Sequence, residues 1–370
     1  LSEPSLLIRN ATIVTAYGLK EADIWIEHGK IKRVAKDTFS VRVEGEAPLV
    51  IDAAEYYLLP GFIQFLSRQT KHHQPKAAYV EEIRRQIAQG VTTVVDSIRL
   101  ESWMDELQLH YQLTPHYNSP IDYAVRVNLE VHTFTPKRIR KLRDQGFRLL
   151  ELTVQSLDEV KKIDWDNLYP LFHDARLAVH LHTPKESVTR EQRRLINEWW
   201  LQHCFFGKIR TCMEEIEPAH TDKDDFYRIA MIGGEQIERV LHTIQQNWFG
   251  YLPVICPIDR FAERLRKKAY RPDKLLSLLV RVASTNMAKA IGCYPQKGSL
   301  LPGADADILF ISKQNWLTNY ELSSILNFSE ICKIAHVMSK GKWVFHEGEH
   351  IPVIGTGNIL KNLQPYNYAI

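Results

Sequence analysis

Apolar and polar residues alternate over residues 5–16 (SLLIRNATIVTA) and 22–35 (ADIWIEHGKIKRVA). Period two predicts strands, with His28-Gly29-Lys30 as a hairpin turn between two of them. Residues 48–53 (PLVIDA) predict another strand. Such a unit needs further strands to close a core. The far end of the chain supplies them at Ala306–Ser312, Ile334–Met338 and Lys342–His346. The middle of the chain alternates strand-like and helix-like segments, the pattern of parallel βα units. Its strand candidates are Leu58–Phe65, Thr92–Ile98, Ala124–Val131, Arg148–Val154, Leu177–His182, Lys208–Ile216 and Leu252–Ile258. Between them, Val80, Ile83 and Ile87 share one helix face that ends at Gly90. Ile237, Val240, Leu241 and Ile244 recur at helical spacing, and Trp199 and Trp200 sit on a helix between Arg190 and His203.

These elements predict an α/β chain: a TIM-like (β/α) barrel over residues 57–297, with a small β-sandwich domain built from both termini, residues 1–56 plus 298–370. The candidate strands number one short of a full barrel. Helix 190–203 runs almost directly into Lys208–Ile216, so the sixth βα unit is expected to be absent and Lys208–Ile216 to be the seventh strand.

Composition narrows the classes without choosing among them. Hydrophobic content of 45% and charged content of 25% are ordinary for a globular protein. A net charge of +3 gives no case for a nucleic-acid or membrane partner. LSEPSLLIRN has no basic region followed by an apolar core, so no signal peptide is expected. Five scattered cysteines without CxxC spacing suggest neither a disulfide framework nor a structural zinc site; a reducing cytoplasm is the expected setting. There is no Gly-x-Ser-x-Gly elbow, phosphate loop or dinucleotide fingerprint.

Two stretches carry a resemblance. Leu59-Pro60-Gly61-Phe62-Ile63 reads like the end of a first barrel strand. Ala283–Phe310 contains Ser284-x-Asn286-x-Ala288-Lys289-x-x-Gly292, then Pro295-x-Lys297-Gly298 and Gly303-Ala304-Asp305-Ala306-Asp307. In that segment Thr285 or Asn286 is expected to cap a short helix, Gly292 to end it, and Gly298 and Gly303 to permit turns. Gly90–Asp96, Ser339–Phe345 and the tail Gly355–Leu360 extend the match. The chain resembles the amidohydrolase superfamily, in its cyclic amidohydrolase branch of hydantoinases, dihydropyrimidinases and dihydroorotases.

The resemblance implies a two-metal site at the C-terminal ends of the barrel strands, and the residues depart from it. The family follows Pro-Gly-Phe-Ile with Asp and His-x-His. Here Gln64 replaces the acid, and Leu66 and Arg68 replace the histidines. Two histidines two residues apart point the same way on a strand, which is why their loss together matters. Arg68 is a permanent cation that repels a metal.

The fourth-strand lysine, carboxylated in the family, falls on Glu151. That side chain is either an anionic ligand or the partner of an arginine such as Arg68 or Arg148. Val179-His180-Leu181-His182 places His180 on a family ligand position, with His182 on the same face. The pair is either part of a one-zinc site or a polar strand end. The last family ligand, an aspartate and general base, falls on Ile258, with Asp259 one residue beyond. Glu214, Glu215 and Glu217 are alternative acid/base candidates at the barrel mouth, and His72-His73 lies in a polar loop. The runs Arg138–Lys141 and Arg264–Lys268 are expected to be exposed helix faces.

Three functional readings follow. The favoured one is a non-catalytic homologue without resident cofactor, a binding or scaffold protein acting as a homo-oligomer or with a partner enzyme, with Arg68, Glu151 and His182 at a barrel mouth that could take a small molecule. The second is a mononuclear hydrolase of cyclic amide C–N bonds, with one divalent metal such as zinc at His180, His182 and Glu151 or Glu214. The third is metal-free catalysis by carboxylates at the mouth, with Asp259 or Glu214 as candidates.

Overall fold

The computed structural model describes residues 5–36, 47–66, 76–102, 104–105, 108–184, 186–214, 228–231, 254–255, 271–322, 328–361 and 363–364. Two sheets organise them. The first begins with strands β1 (Leu6–Thr15), β2 (Gly18–Glu27) and β3 (Lys30–Ala35), each antiparallel to the next. His28 and Gly29 turn between β2 and β3 with φ of 49° and 72°, as a two-residue hairpin requires. Strands β4 (Leu49–Asp52) and β5 (Tyr56–Pro60) lie parallel to β1.

The second sheet follows: β6 (Phe62–Phe65), β7 (Val91–Arg99), β8 (Asp122–Glu130), β9 (Leu149–Thr153), β10 (Ala178–His182), β11 (Arg210–Glu214), β12 (Arg228–Met231) and β13 (Val254–Ile255). All eight are parallel and lie in chain order. The sheet curls, with helices on its outside, as a TIM-like barrel does. Helices α1 (Lys76–Ala88), α2 (Pro136–Asp144), α3 (Trp165–Ala175) and α4 (Arg190–Phe206) connect its strands. The chain then passes through α5 (Pro272–Val280), a π-helical turn (Arg281–Thr285) and α6 (Asn286–Ile291). It rejoins the first sheet as β14 (Ile308–Ser312), β15 (His336–Ser339), β16 (Lys342–His346) and β17 (Glu349–His350). The first sheet keeps a core of its own around Ile8, Ile24, Ile31, Leu58, Ile308 and Phe310. No described helix is long and apolar enough to cross a membrane.

Three expectations are corrected. First, the barrel has its full set of strands. Lys208–Ile216 was expected to be the seventh, but β11 pairs directly with β10 and is the sixth; the unit thought absent is present. The missed strand is β12, only four residues long and too short to announce a period.

Second, Leu58–Phe65 is not one strand. Tyr56–Pro60 belongs to the first sheet, opposite β14, and the barrel starts at Phe62. Gly61 is the hinge between the sheets, because a Cβ there would lie 2.0 Å from Oγ1 of Thr92. Its N–H donates to the Asp307 carbonyl at 2.9 Å, and its carbonyl accepts from Oγ of Ser284 at 2.7 Å.

Third, neither Thr285 nor Asn286 caps a helix, since the backbone enters α6 already helical from the π turn. The Thr285 hydroxyl donates instead to the Gly298 carbonyl at 2.8 Å. Gly292 does end α6, at φ 84°. The helix over Ile237–Ile244 and the run Arg264–Lys268 lie outside the described residues. In α2, Arg140 and Lys141 face solvent as expected, while Ile139 is buried and half-buried Arg138 donates to the Met104 carbonyl at 2.7 Å.

The two sheets and the tail meet at one ammonium group. Nζ of buried Lys297 lies 2.7 Å from Asp122 at the start of β8, 3.0 Å from Asp305 and 2.7 Å from Asp307. Lys340 reaches Asp122 at 2.6 Å and Lys30 reaches Asp305 at 2.6 Å, so three cations balance three anions. The tail is tied in through Asn358, whose N–H donates to Oδ1 of Asp122 at 2.7 Å. Leu363 then packs beneath the barrel with Ile63, Val95 and Ala124. Lys297 of the Pro295-x-Lys297-Gly298 stretch, with Asp305 and Asp307, thus forms a buried ionic knot.

Burial opposes the charge on Lys297, but Asp307, Asp122 and Asp305 outweigh it and raise its pKa above the ordinary 10.5. For Asp305 burial pushes the carboxyl up, and Lys297, Lys30 and Gln296 together bring it below its ordinary value. Asp307 goes the other way, because burial outweighs Lys297. A lysine raised in the folded state adds stability that is complete below its unfolded pKa and is lost as pH climbs through the folded value. Lys297→Met is therefore expected to cost about 3–5 kcal/mol at neutral pH, the usual result of breaking a buried ionic cluster. Urea denaturation of both proteins should show that gap, and it should narrow above pH 10.5, where the wild-type lysine begins to lose its advantage.

Candidate functional site

Alternation decides which side chains enter the barrel. On β8, Ala124 belongs to the inner cluster, so Arg126 and Asn128 share its face, while Val125, Val127 and Leu129 pack outward. On β9 the inner residues are Leu149, Glu151 and Thr153; on β10 they are Ala178, His180 and His182; on β11, Arg210 and Cys212. The register sets Asn128 beside Glu151, Glu151 beside His180, and His180 beside Cys212.

The centre of this layer is Arg126. Its Nη2 lies 2.7 Å from Oε2 of Glu151, and both side chains are essentially closed to solvent, at 5% and 0% exposure. Its Nη1 contacts Nδ1 of His180. Because a guanidinium only donates, Nδ1 accepts and His180 carries its proton on Nε2. The cation also lies 4.7 Å from the centroid of the Phe65 ring, and Phe65 meets the His180 ring edge-on at 6.1 Å. Glu151 is steadied from the other side, since Asn128 Nδ2 donates to Oε1 and the Ser97 hydroxyl reaches the same oxygen at 3.4 Å. Asn128 also donates to Oγ1 of Thr153 at 3.0 Å. Cys212 shares a cavity with Arg126 and His180. Burial pushes its thiol up to about 12, with Arg126 and Arg210 pulling the other way, so it is a neutral thiol near pH 7.

The candidates are placed as follows. Glu151 and His180 come together, as the strand positions suggested. Glu151 does have an arginine partner, but it is Arg126; Arg148 instead donates to the Arg143 carbonyl at 3.3 Å. His182 ends β10 half-buried, two residues above His180 and opposite Thr153. Leu66 packs in the outer core that also holds Val94 and Ile98. Glu214 ends β11, with its side chain outside the description. Arg68, His72, His73, Glu215, Glu217, Ile258 and Asp259 lie outside the described residues.

Arg126, Asn128, Ser97 and Cys212 were not read from the sequence as site residues. A signal for two of them existed. In Asp122–Glu130 (DYAVRVNLE), an arginine and an asparagine alternate with apolar residues in a strand buried on both faces. A buried arginine needs a carboxylate, and Glu151 is its neighbour on the next strand.

The donor chemistry does not suit the two-metal group implied by the resemblance. His180 offers Nδ1 to a guanidinium, Glu151 spends its oxygens on Arg126, Asn128 and Ser97, and Leu66, where the resemblance implies a histidine, carries no donor. Among the described residues, no group of three His, Cys, Asp or Glu side chains is placed to hold a metal ion.

Comparison with known proteins gives the same class. Residues 172–344 match the amidohydrolase family model. A D-hydantoinase structure is 16% identical with a TM-score of 0.69, over 98% of this chain and 99% of that one. The dihydropyrimidinase from Brevibacillus agri NCHU1002 gives 16% and 0.68, over 96% and 98%. The L-hydantoinase (dihydropyrimidinase) from Arthrobacter aurescens gives 16% and 0.68, over 98% and 100%. At such identity the structures speak for the fold. Over residues 172–344 the chain is similar to the amidohydrolase family, and over nearly its whole length it shares the fold of these structures. Its resemblance is to the cyclic amidohydrolase branch, of hydantoinase and dihydropyrimidinase kind.

Glu151→Gln keeps the shape and leaves Arg126 buried without its anion. The expected loss is about 3–5 kcal/mol of stability. Adding Arg126→Met should recover part of it. A double-mutant cycle by chemical denaturation measures the coupling, and additive losses would show that the two charges do not act as a pair.

Proposed function

We propose that this chain is a dihydroorotase- or hydantoinase-like homologue that has lost the two-metal site and acts without catalysis, as a binding or scaffold protein. The observation that carries the reading is Arg126. Amidohydrolase chemistry of the kind the resemblance implies needs a cation with open coordination positions, which lowers the pKa of a bound water until hydroxide forms near pH 7. A guanidinium has no such position; it donates hydrogen bonds and accepts nothing. In this barrel the cation against Glu151 and His180 is a side chain, and its charge is spent on the group that would otherwise be a ligand.

Function then rests on surfaces and on whatever the barrel mouth admits. A homo-oligomer or a complex with a partner enzyme suits such a protein, and polar groups at the mouth, Thr153 and His182 among them, suit a small-molecule ligand. The four described cysteines are free and buried, in keeping with a reducing, cytoplasmic setting.

Elemental analysis of the purified protein is expected to find far less than one equivalent of zinc, manganese or iron. Hydantoin and dihydropyrimidine rings should stay closed in its presence, with or without added divalent metal. Ring opening that disappears in His180→Ala would overturn the reading and establish a hydrolase.

A further inference from the structure

We propose that the exposed side of α4 is a self-complementary docking surface whose occupant is a second copy of this chain, paired antiparallel across a two-fold axis that passes between Trp199 and Gln202. The proposal rests on the reading that the chain works through its surfaces, and deepens it by naming the surface and the partner.

Helix α4 is built to stand firmly on the barrel. A capping box between Thr189 and Gln192 starts it, and Ile196, Trp200 and Cys204 anchor its inner face. The outer side is not the polar one that a barrel helix usually shows to water. Leu195, Trp199 and Phe206 recur at i, i+4 and i+11, so they stand in one stripe along the helix. Phe206 is 77% exposed, its neighbour Phe205 63% and Leu195 39%. The stripe extends onto α3. The Phe206 ring lies 5.5 Å from that of Tyr169, and the Trp199 ring lies 3.8 Å from that of His203. These residues form one apolar shelf across two helices rather than scattered exposed side chains. An aromatic centre of this kind, with charge kept to its edge, is the composition of a protein–protein contact.

The charges around the shelf select the occupant. Arg194 is held by Glu191 at 2.7 Å and by Glu198, so the flank is balanced within the helix itself. A balanced flank meets its own copy without repulsion, whereas a partner chosen by charge needs an excess of one sign. The two ends of α4 do differ: Glu191 is exposed in its first turn and Lys208 is exposed just beyond its last. Antiparallel copies about the proposed axis set Leu195 against Phe206 and Trp199 against Gln202. The same register sets Glu198 beside His203 and Glu191 toward Lys208, and symmetry makes each meeting twice. Apolar side chains meet apolar ones and acids meet bases in a single register. A parallel pairing of the same helices would set Glu191 against Glu191 and Lys208 against Lys208.

Sedimentation velocity over a series of concentrations tests the proposal on wild type, Phe206→Glu, Glu191→Lys, Lys208→Glu and the double variant Glu191→Lys/Lys208→Glu. Wild type is expected to sediment as a dimer or as an assembly of dimers. Phe206→Glu should weaken association by at least about 100-fold, because the change enters the interface twice. Each charge reversal alone should weaken it by roughly tenfold, and the double variant should regain wild-type association, since exchanging both charges restores the meeting of opposite signs. All three positions are exposed, so far-ultraviolet circular dichroism and Tm should match wild type. A wild type that is monomeric at every concentration overturns the proposal. So does a Phe206→Glu variant that associates as wild type does, or a double reversal that associates no better than the single ones. If Phe206→Glu does not fold, the charge reversals decide by the same criterion. A monomeric wild type that opens no hydantoin ring leaves the non-catalytic reading standing, whereas a dimer that passes these tests and opens the ring overturns that reading and leaves the interface standing.

Discussion

A wall of parallel strands sends every second side chain into a space that bulk water does not reach. Any charge placed there must be matched by another within hydrogen-bonding distance, because an isolated buried ion costs several kcal/mol. Arg126 and Glu151 meet that requirement for each other at 2.7 Å. The rest of the layer is arranged around them: His180 accepts from the guanidinium, Asn128 and Ser97 donate to the carboxylate, and Phe65 offers its ring face to the cation. In a metal enzyme of this fold the same requirement is met by ions from solution. Here the Arg126–Glu151 pair meets it within the chain.

The same rule operates a second time at the base. Lys297, Lys340 and Lys30 against Asp122, Asp305 and Asp307 make a balanced cluster. It draws together one barrel strand, the entry to β14, the β2–β3 hairpin and the tail. Two charge-balanced centres therefore serve different ends. The basal one joins the sheets and survives in sequence as a family motif. The inner one lies in the barrel layer that holds Glu151 and His180, and no motif in the sequence announces it.

Gly61 shows how closely the two layers are built together. The residue has no side chain because Thr92 fills the space, and its two backbone groups bind Asp307 on one side and Ser284 on the other. A strand that looks continuous from its hydrophobicity is divided there between two sheets. The π turn at Arg281–Thr285 brings Ser284 to that contact, which explains why Thr285 is not free to act as a helix cap.

By itself the sequence determined the local elements and their class. Period-two patterns placed β1 to β4 and β14 to β16, the alternation of strand and helix indicated a parallel barrel, and the motif from Ser284 to Asp307 pointed to the superfamily. It also set Leu66 and Arg68 at positions where the resemblance implies ligands. Only the tertiary structure decided how many strands the barrel holds, because β12 is too short to carry a period and is recognised by its hydrogen-bonded neighbours. Only the tertiary structure joined Arg126 to Glu151, 25 residues away, and Glu151 to His180. Which of several arginines pairs with a carboxylate depends on strand register, and register is a property of the folded sheet rather than of any segment within it.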